Sequence, residues 1–179
     1  MKASIILSTY NRPQALLTVL EALKLQTIQD FEVCIADDGS TKDTQQIIEN
    51  FQQNSAFPIL HAWQDDRGFR AASARNNAVR MSSGDYLLFL DGDCIPRPNW
   101  IQQHLALSEK HAFVAGNRVL LDETLSHAIE THRIPFTDLF GLNVLRHKEH
   151  INRLIPLLKI PLGSMRKLCL LYTSDAADG

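Results

Sequence analysis

The chain of 179 residues is poor in the features that would mark a secreted or membrane-spanning protein. It has three cysteines, Cys34, Cys94 and Cys169, an odd and widely spaced set. That excludes a disulfide framework and a metal-ligand spacing, and fits a reducing cytoplasm. No apolar run approaches the ~18 residues that would cross a bilayer. The segment after Met1 lacks the long apolar core and cleavage site of a signal peptide. Charge of one sign is also lacking: the net charge is −2, which argues against a whole-protein nucleic-acid surface. Repeats and low-complexity linkers are missing. What remains, 45% hydrophobic and 21% charged residues, is an ordinary globular composition long enough to bury one sizeable core.

The apolar runs alternate in type. Residues 3–7, 31–36, 59–63 and 86–90 read as buried strands. Between them, Leu16, Leu17, Leu20 and Leu23, then Thr44, Ile47, Ile48 and Phe51, then residues 71–81, carry helical spacing. Asn11 is expected to cap the first helix, with Pro13 in its first turn. Ser40 and Asp43 resemble a capping box for the second. Ser82-Ser83-Gly84 is read as the stop of the third helix. The fourth strand, apolar on both faces, is expected at the centre of the sheet. A fourth helix over 99–110 and a strand opening at residues 113–115 follow. Strands alternating with helices imply an α/β fold with a mostly parallel sheet flanked by helices. Beyond about Thr124 the pattern weakens, broken by Pro135, Pro156 and Pro161.

Ligands bind open parallel sheets beyond the carboxyl ends of the strands. Each of the first four strands ends there in polar residues: Ser8 to Arg12, Asp37 and Asp38, Asp65 to Arg67, and Asp91 with Asp93. Continued strand geometry would project Asp91 and Asp93 to one side, with Gly92 letting a ligand approach the backbone. Paired carboxylates suit Mg²⁺ or Mn²⁺ bound together with phosphate oxygens. An isolated D-x-D is more often an acidic capping turn. After an all-apolar strand, in line with three other polar strand ends, the metal and diphosphate reading is preferred. Asp37-Asp38-Gly39-Ser40 stays open between a capping turn and a carboxylate that accepts a uracil imide N–H. Arg75 is either solvated or within reach of phosphate and the acidic pair. Cys94 reads as a small core residue.

Four segments together resemble the inverting glycosyltransferases of family 2. They are Ser8-Thr9-Tyr10-Asn11-Arg12-Pro13, Asp37-Asp38-Gly39-Ser40, Gly68 through Asn76, and Gly84 through Asp93. The stretch from Trp63 to Asn76 looks like the bacterial branch of chondroitin polymerase-type and galactosyltransferase-type enzymes. The resemblance implies the Rossmann-like GT-A nucleotide-diphospho-sugar transferase fold, and a sugar passed from a UDP-linked donor to a glycan or lipid-linked acceptor. It implies that Tyr10 stacks near the base, that Asp38 binds uracil, and that Ser8, Asn11 and Arg12 line the nucleotide pocket. Arg75 would support the diphosphate, Asp91 would contact ribose or metal-bound groups, and Asp93 would ligate Mn²⁺ or Mg²⁺.

The same resemblance calls for a later acidic base, and Asp122, Glu123 and Asp138 lie in the wrong context for it. The base is expected beyond Leu168. Residues 169–179 resemble a translated sequencing adapter, so the fold is expected to be incomplete at its C-terminus. The expected organisation is a donor-binding core over 1–123, the start of an acceptor-side region over 124–168, and a non-native tail over 169–179. Donor binding without transfer is the expected behaviour of such a chain. Residues 144–167 carry six basic residues against Glu149, interleaved with leucines and isoleucines. Packing on the remainder of the protein is preferred there over contact with the inner face of a membrane. His127, His132, His147 and His150 lack a third ligand for a metal. A nicotinamide dehydrogenase is excluded by Thr9-Tyr10-Asn11-Arg12-Pro13 where G-x-G-x-x-G would stand. An aspartate-nucleophile phosphatase of the haloacid dehalogenase-like pattern would carry its D-x-D on the first strand.

Overall fold

The computed structural model describes residues 1–152. Four parallel strands form its sheet: β1 (Ala3–Thr9), β2 (Phe31–Asp37), β3 (Ile59–Trp63) and β4 (Tyr86–Asp91), in the order β3-β2-β1-β4. Helices α1 (Pro13–Lys24), α2 (Lys42–Gln53) and α3 (Ala71–Met81) connect them, and α4 (Trp100–Leu107) follows β4. This is the α/β arrangement implied by the alternating pattern. Past α4 lie a short antiparallel pair, β5 (Leu120–Leu121) with β6 (Ile151–Asn152), helix α5 (Glu123–Glu130), and 3-10 segments at Phe136–Leu139 and Gly141–His150. Residues 153–179, which include the expected tail and most of the basic segment, lie outside the described residues.

The two faces of the sheet are covered differently. Ala3, Ile5 and Leu7 of β1 pack with Val33, Ile35 and Leu88 against the leucines of α1, Ile48 and Phe51 of α2, and Ile101 of α4. The other face carries Ile6, Cys34, Ala36 and Ala62 against Ala74 and Ala78 of α3. Alanines at that contact let α3 lie close to the sheet. Strand alternation then puts Ser4, Ile6 and Ser8 on the α3 side. A buried Leu or Ile contributes roughly 1.5–3 kcal/mol, so the first cluster carries most of the stability.

Three expectations are corrected. Among the described residues β4 pairs only with β1 and stands at the border of the sheet, not at its centre, with Phe89 56% exposed. Its apolar pattern reports burial of Leu88 in the core, while Leu87 and Phe89 extend past the cover of α3. Residues 113–115 are unpaired coil, and Phe113 is exposed; three apolar residues without a partner ladder form no strand. Helix α3 does stop there, after Met81, but Gly84 takes no left-handed backbone. A Cβ there would stand 2.8 Å from the Ser4 backbone nitrogen, so Gly84 exists to let the chain pass against β1.

The amino end of the sheet is closed by a buried carboxylate. Glu32 accepts from Lys2 Nζ at 2.8 Å, from Ser4 Oγ at 2.7 Å, and from the Ser83 backbone N–H and hydroxyl. Burial alone would push this carboxyl up. The Lys2 ammonium and the serine donors outweigh burial and bring it from 4.5 down to about 2. Stability from a depressed carboxylate is present above the unfolded value and is lost as pH falls through the folded one. Glu32→Gln is therefore predicted to be less stable than wild type at neutral pH by up to about 3 kcal/mol in urea unfolding. The gap should shrink as pH falls from 4.5 towards about 2; a gap independent of pH would refute this role.

Candidate functional site

Register sets the site. Ser8 of β1 pairs with Asp91 of β4, Thr9 pairs with Asp37 of β2, and Asp37 pairs with Trp63 of β3. All four strand ends thus reach one edge at one level.

The first two loops brace each other. Asn11 sits in left-handed backbone at φ 48°. Its N–H donates to Ser40 Oγ at 3.0 Å, and its Oδ1 accepts from the Thr41 N–H at 2.9 Å. Neither residue caps a helix of its own: α1 begins behind Arg12 and α2 behind Thr41, both without side-chain caps. The expected Asn11 cap and Ser40–Asp43 capping box are replaced by this cross-loop exchange, which the local sequence could not reveal.

The two acids of the second loop divide their work. Asp37 is fully buried. It accepts from the Ser40 N–H at 2.8 Å and contacts His61 Nε2 at 2.9 Å. Burial would raise its carboxyl, but His61 and Ser40 hold it below its ordinary value. Asp38 accepts from Gln64 Nε2 at 2.6 Å and the Arg70 N–H at 2.7 Å while bordering a cavity. Asp37 is thus a turn-forming residue and Asp38 a cavity residue.

At the other end of that cavity Asp91 is held by two arginines. Arg75 Nη2, projected by α3, donates to Asp91 Oδ1 at 2.8 Å and to Ser8 Oγ at 3.2 Å. Arg118 Nη1 lies 3.3 Å from Asp91 Oδ2. The strand ends at Asp91, and the expected continuation of its geometry through Gly92 does not occur. The Asp91 carbonyl accepts the Cys94 N–H at 3.0 Å, so Asp91 and Asp93 are brought together by a turn. Gly92 lies so close to β1 that a Cβ would be 2.5 Å from the Ser8 carbonyl oxygen.

Ligand atoms of Asp91, Asp93 and Cys94 lie within 4.8 Å of one another. Burial first, and then the neighbouring carboxylates, push the Cys94 thiol up to about 11, so it stays protonated. Cys94 is half-buried rather than a core residue. The donors left for a cation are carboxylate oxygens, the set that suits Mg²⁺ or Mn²⁺ with phosphate completing the shell. Asp93 is exposed and, among the described residues, its carboxylate meets the Cys94 thiol at 3.5 Å, whereas Asp91 is already paired.

The cavity between these ends measures about 280 Å³ and is bordered by Ser8, Tyr10, Arg12, Asp38, Arg75, Asp91 and Asp93. Asn11 does not line it; its part is the loop brace. The Tyr10 hydroxyl donates to Asp66 at 3.0 Å, and Arg12 pairs with Glu130 of α5 at 2.7 Å. Asp65 and Arg67 pair with each other in solvent. Phe69, 94% exposed, and Arg118 also border the cavity. Neither was singled out from sequence. Phe69 sits inside a matched segment, but Arg118 lies in an unpatterned stretch that only the fold brings to Asp91. A larger cavity of about 790 Å³ runs along the outer side of β4 and shares Arg12, Asp91, Asp93 and Arg118 with the first. The late acids lie elsewhere: Asp122 caps α5 through the Leu125 N–H and contacts His150, and Asp138 lies 3.7 Å from His147.

Known proteins resemble this chain in sequence and fold. The family model for glycosyl transferase family 2 matches residues 4–166. Validoxylamine A glucosyltransferase from Streptomyces hygroscopicus subsp. jinggangensis is 38% identical over 120 residues, covering 66% of this chain and 27% of that protein. Chondroitin synthase from Escherichia coli is 37% identical over 105 residues, covering 58% of this chain and 15% of its own length. The chain therefore spans well under a third of these relatives. Among solved structures, S. aureus TarS 1-349 in complex with UDP-GlcNAc superposes with a TM-score of 0.50 at 29% identity, over 59% of this chain and 30% of that one.

The contact between Gly92 and Ser8 gives a direct test. Gly92→Ala must displace the Ser8 carbonyl or the acidic turn, and is predicted to cost about 1–3 kcal/mol in chemical unfolding. Unchanged stability would show that the turn does not lean on β1.

Proposed function

The chain belongs to glycosyl transferase family 2, and from that premise we propose that its 280 Å³ cavity receives the nucleoside diphosphate of a UDP-sugar. One observation carries the proposal. One cavity is bordered by Tyr10 and Asp38 and also by Ser8, Arg75, Asp91 and Asp93, with Arg75 holding Ser8 and Asp91 together.

Each residue's part follows from its chemistry. The Asp38 carboxylate offers about four lone-pair directions, so it can accept a uracil imide N–H while keeping Gln64 and Arg70. Tyr10, half exposed and tethered through its hydroxyl, presents a ring face for stacking. Arg75 supplies a guanidinium beside the diphosphate without leaving Ser8. Arg12 borders the cavity from its pair with Glu130. Asp93 would be the main ligand of Mn²⁺ or Mg²⁺, with Asp91 beside it. Such a cation neutralises charge on a departing nucleoside diphosphate. Likeness to a structure bound to UDP-GlcNAc supports the uridine carrier.

The full reaction we propose is transfer with inversion to a glycan or lipid-linked hydroxyl, at the cytoplasmic side. No helix among the described residues is long and apolar enough to cross a membrane. A second reading, nucleotide-sugar binding without transfer, is favoured by Asp122, Glu123 and Asp138. None of them borders the donor cavity to serve as base.

Calorimetry with UDP and UDP-sugars, with and without Mn²⁺, tests the site. UDP should bind more tightly with Mn²⁺, and Asp93→Ala should lose that gain, at least about tenfold. Binding indifferent to both Mn²⁺ and Asp93 would refute the assignment. A sugar-transfer assay then separates the two readings.

A further inference from the structure

Resting on the donor-site reading above, we infer that Arg118 is a second diphosphate-binding residue, one that exchanges Asp91 for the phosphate when the donor enters. The two arginines on Asp91 are held unequally. Arg75 rises from a packed helix, is anchored to both Ser8 and Asp91, and is 37% exposed at its side chain. Arg118 rises from the coil before β5 and is 66% exposed. It meets Asp91 Oδ2 at 3.3 Å, with the Cys94 thiol beside it. An exposed pair of that length contributes little, so little is lost when it opens.

Charge explains the exchange. Asp91 and Asp93 are balanced by Arg75 and Arg118. An arriving diphosphate adds negative charge, and a guanidinium fits its oxygens with two parallel N–H donors. Arg118 borders both cavities, the donor-sized one and the larger one along β4. It therefore stands where the diphosphate end of a donor would meet the second cavity. Its departure also frees Asp91 Oδ2, which Arg118 holds in the structure. Arg118 thus contributes at the phosphate and takes no part in recognising the base.

The experiment is calorimetry on the full chain with UDP plus Mn²⁺, with uridine, and with Mn²⁺ alone, comparing wild type, Arg118→Ala and Arg118→Lys. Arg118→Ala should weaken UDP about tenfold, with uridine unchanged. Arg118→Lys should recover part of the loss. Mn²⁺ alone should bind Arg118→Ala at least as well as wild type, because a competitor for Asp91 has gone. UDP affinity unchanged in Arg118→Ala, or uridine falling in step with UDP, would overturn the inference. So would weaker binding of Mn²⁺ alone, which would make Arg118 a support of the acidic turn. Failure of wild type to bind UDP would instead sink the donor-site reading, and this inference with it.

Discussion

The pairing of β1 with β4 is the constraint on which the site depends. It sets Ser8 opposite Asp91, and Gly92 against the Ser8 carbonyl. A slip of one residue would turn Ser8 away from α3 and reverse the inward and outward faces of β1. Arg75 would then lose one of its two anchors. The pairing of β1 with β2 does the same for the base end, because it carries Asp37 to the level of Thr9 and leaves Asp38 one residue beyond the sheet. The distance between the two ends of the cavity is therefore a property of the sheet.

Within that frame the two acids of each pair do different work. Asp37 spends its oxygens on Ser40 and His61, which shapes the turn that presents Asp38. Asp91 is taken by two arginines, and Asp93 stands exposed. Asp37 has no exposure and must be paired, whereas Asp91 stays partly exposed and is paired because Arg75 and Arg118 reach it. The alanines of α3 add to this, since Ala74 and Ala78 allow the approach that brings Arg75 over Ser8.

Much of this was legible in the amino-acid sequence for a physical reason. Buried strands such as residues 31–36 and the helix at 71–81 declare themselves by local apolar spacing, and polar strand ends follow from the chain direction. Long-range choices were not legible. The place of β4 depends on which strands pair with it among the described residues, and the coil at 113–115 on the want of a partner. Asn11 and Ser40 look like caps in isolation because the same side-chain oxygens serve equally well across loops. Arg118 had no local signal at all, since 27 residues separate it from Asp91. The likeness to family 2 drew on the first kind of information; Asp38, Arg75 and Asp93, which it names, border one cavity, whereas Asn11 does not line it.

The central claim is that one cavity at the strand ends takes a nucleoside diphosphate at Asp38 and a divalent cation at Asp93. Paramagnetic broadening of backbone amide signals by Mn²⁺ in the presence of UDP tests it most directly. The account predicts strong, UDP-dependent broadening at Gly92, Asp93 and Cys94, weaker broadening at Ser8 and Arg118, and a shift without broadening at Gly39 and Arg70 around Asp38. Broadening centred on another acidic cluster, or no dependence on UDP, would contradict it.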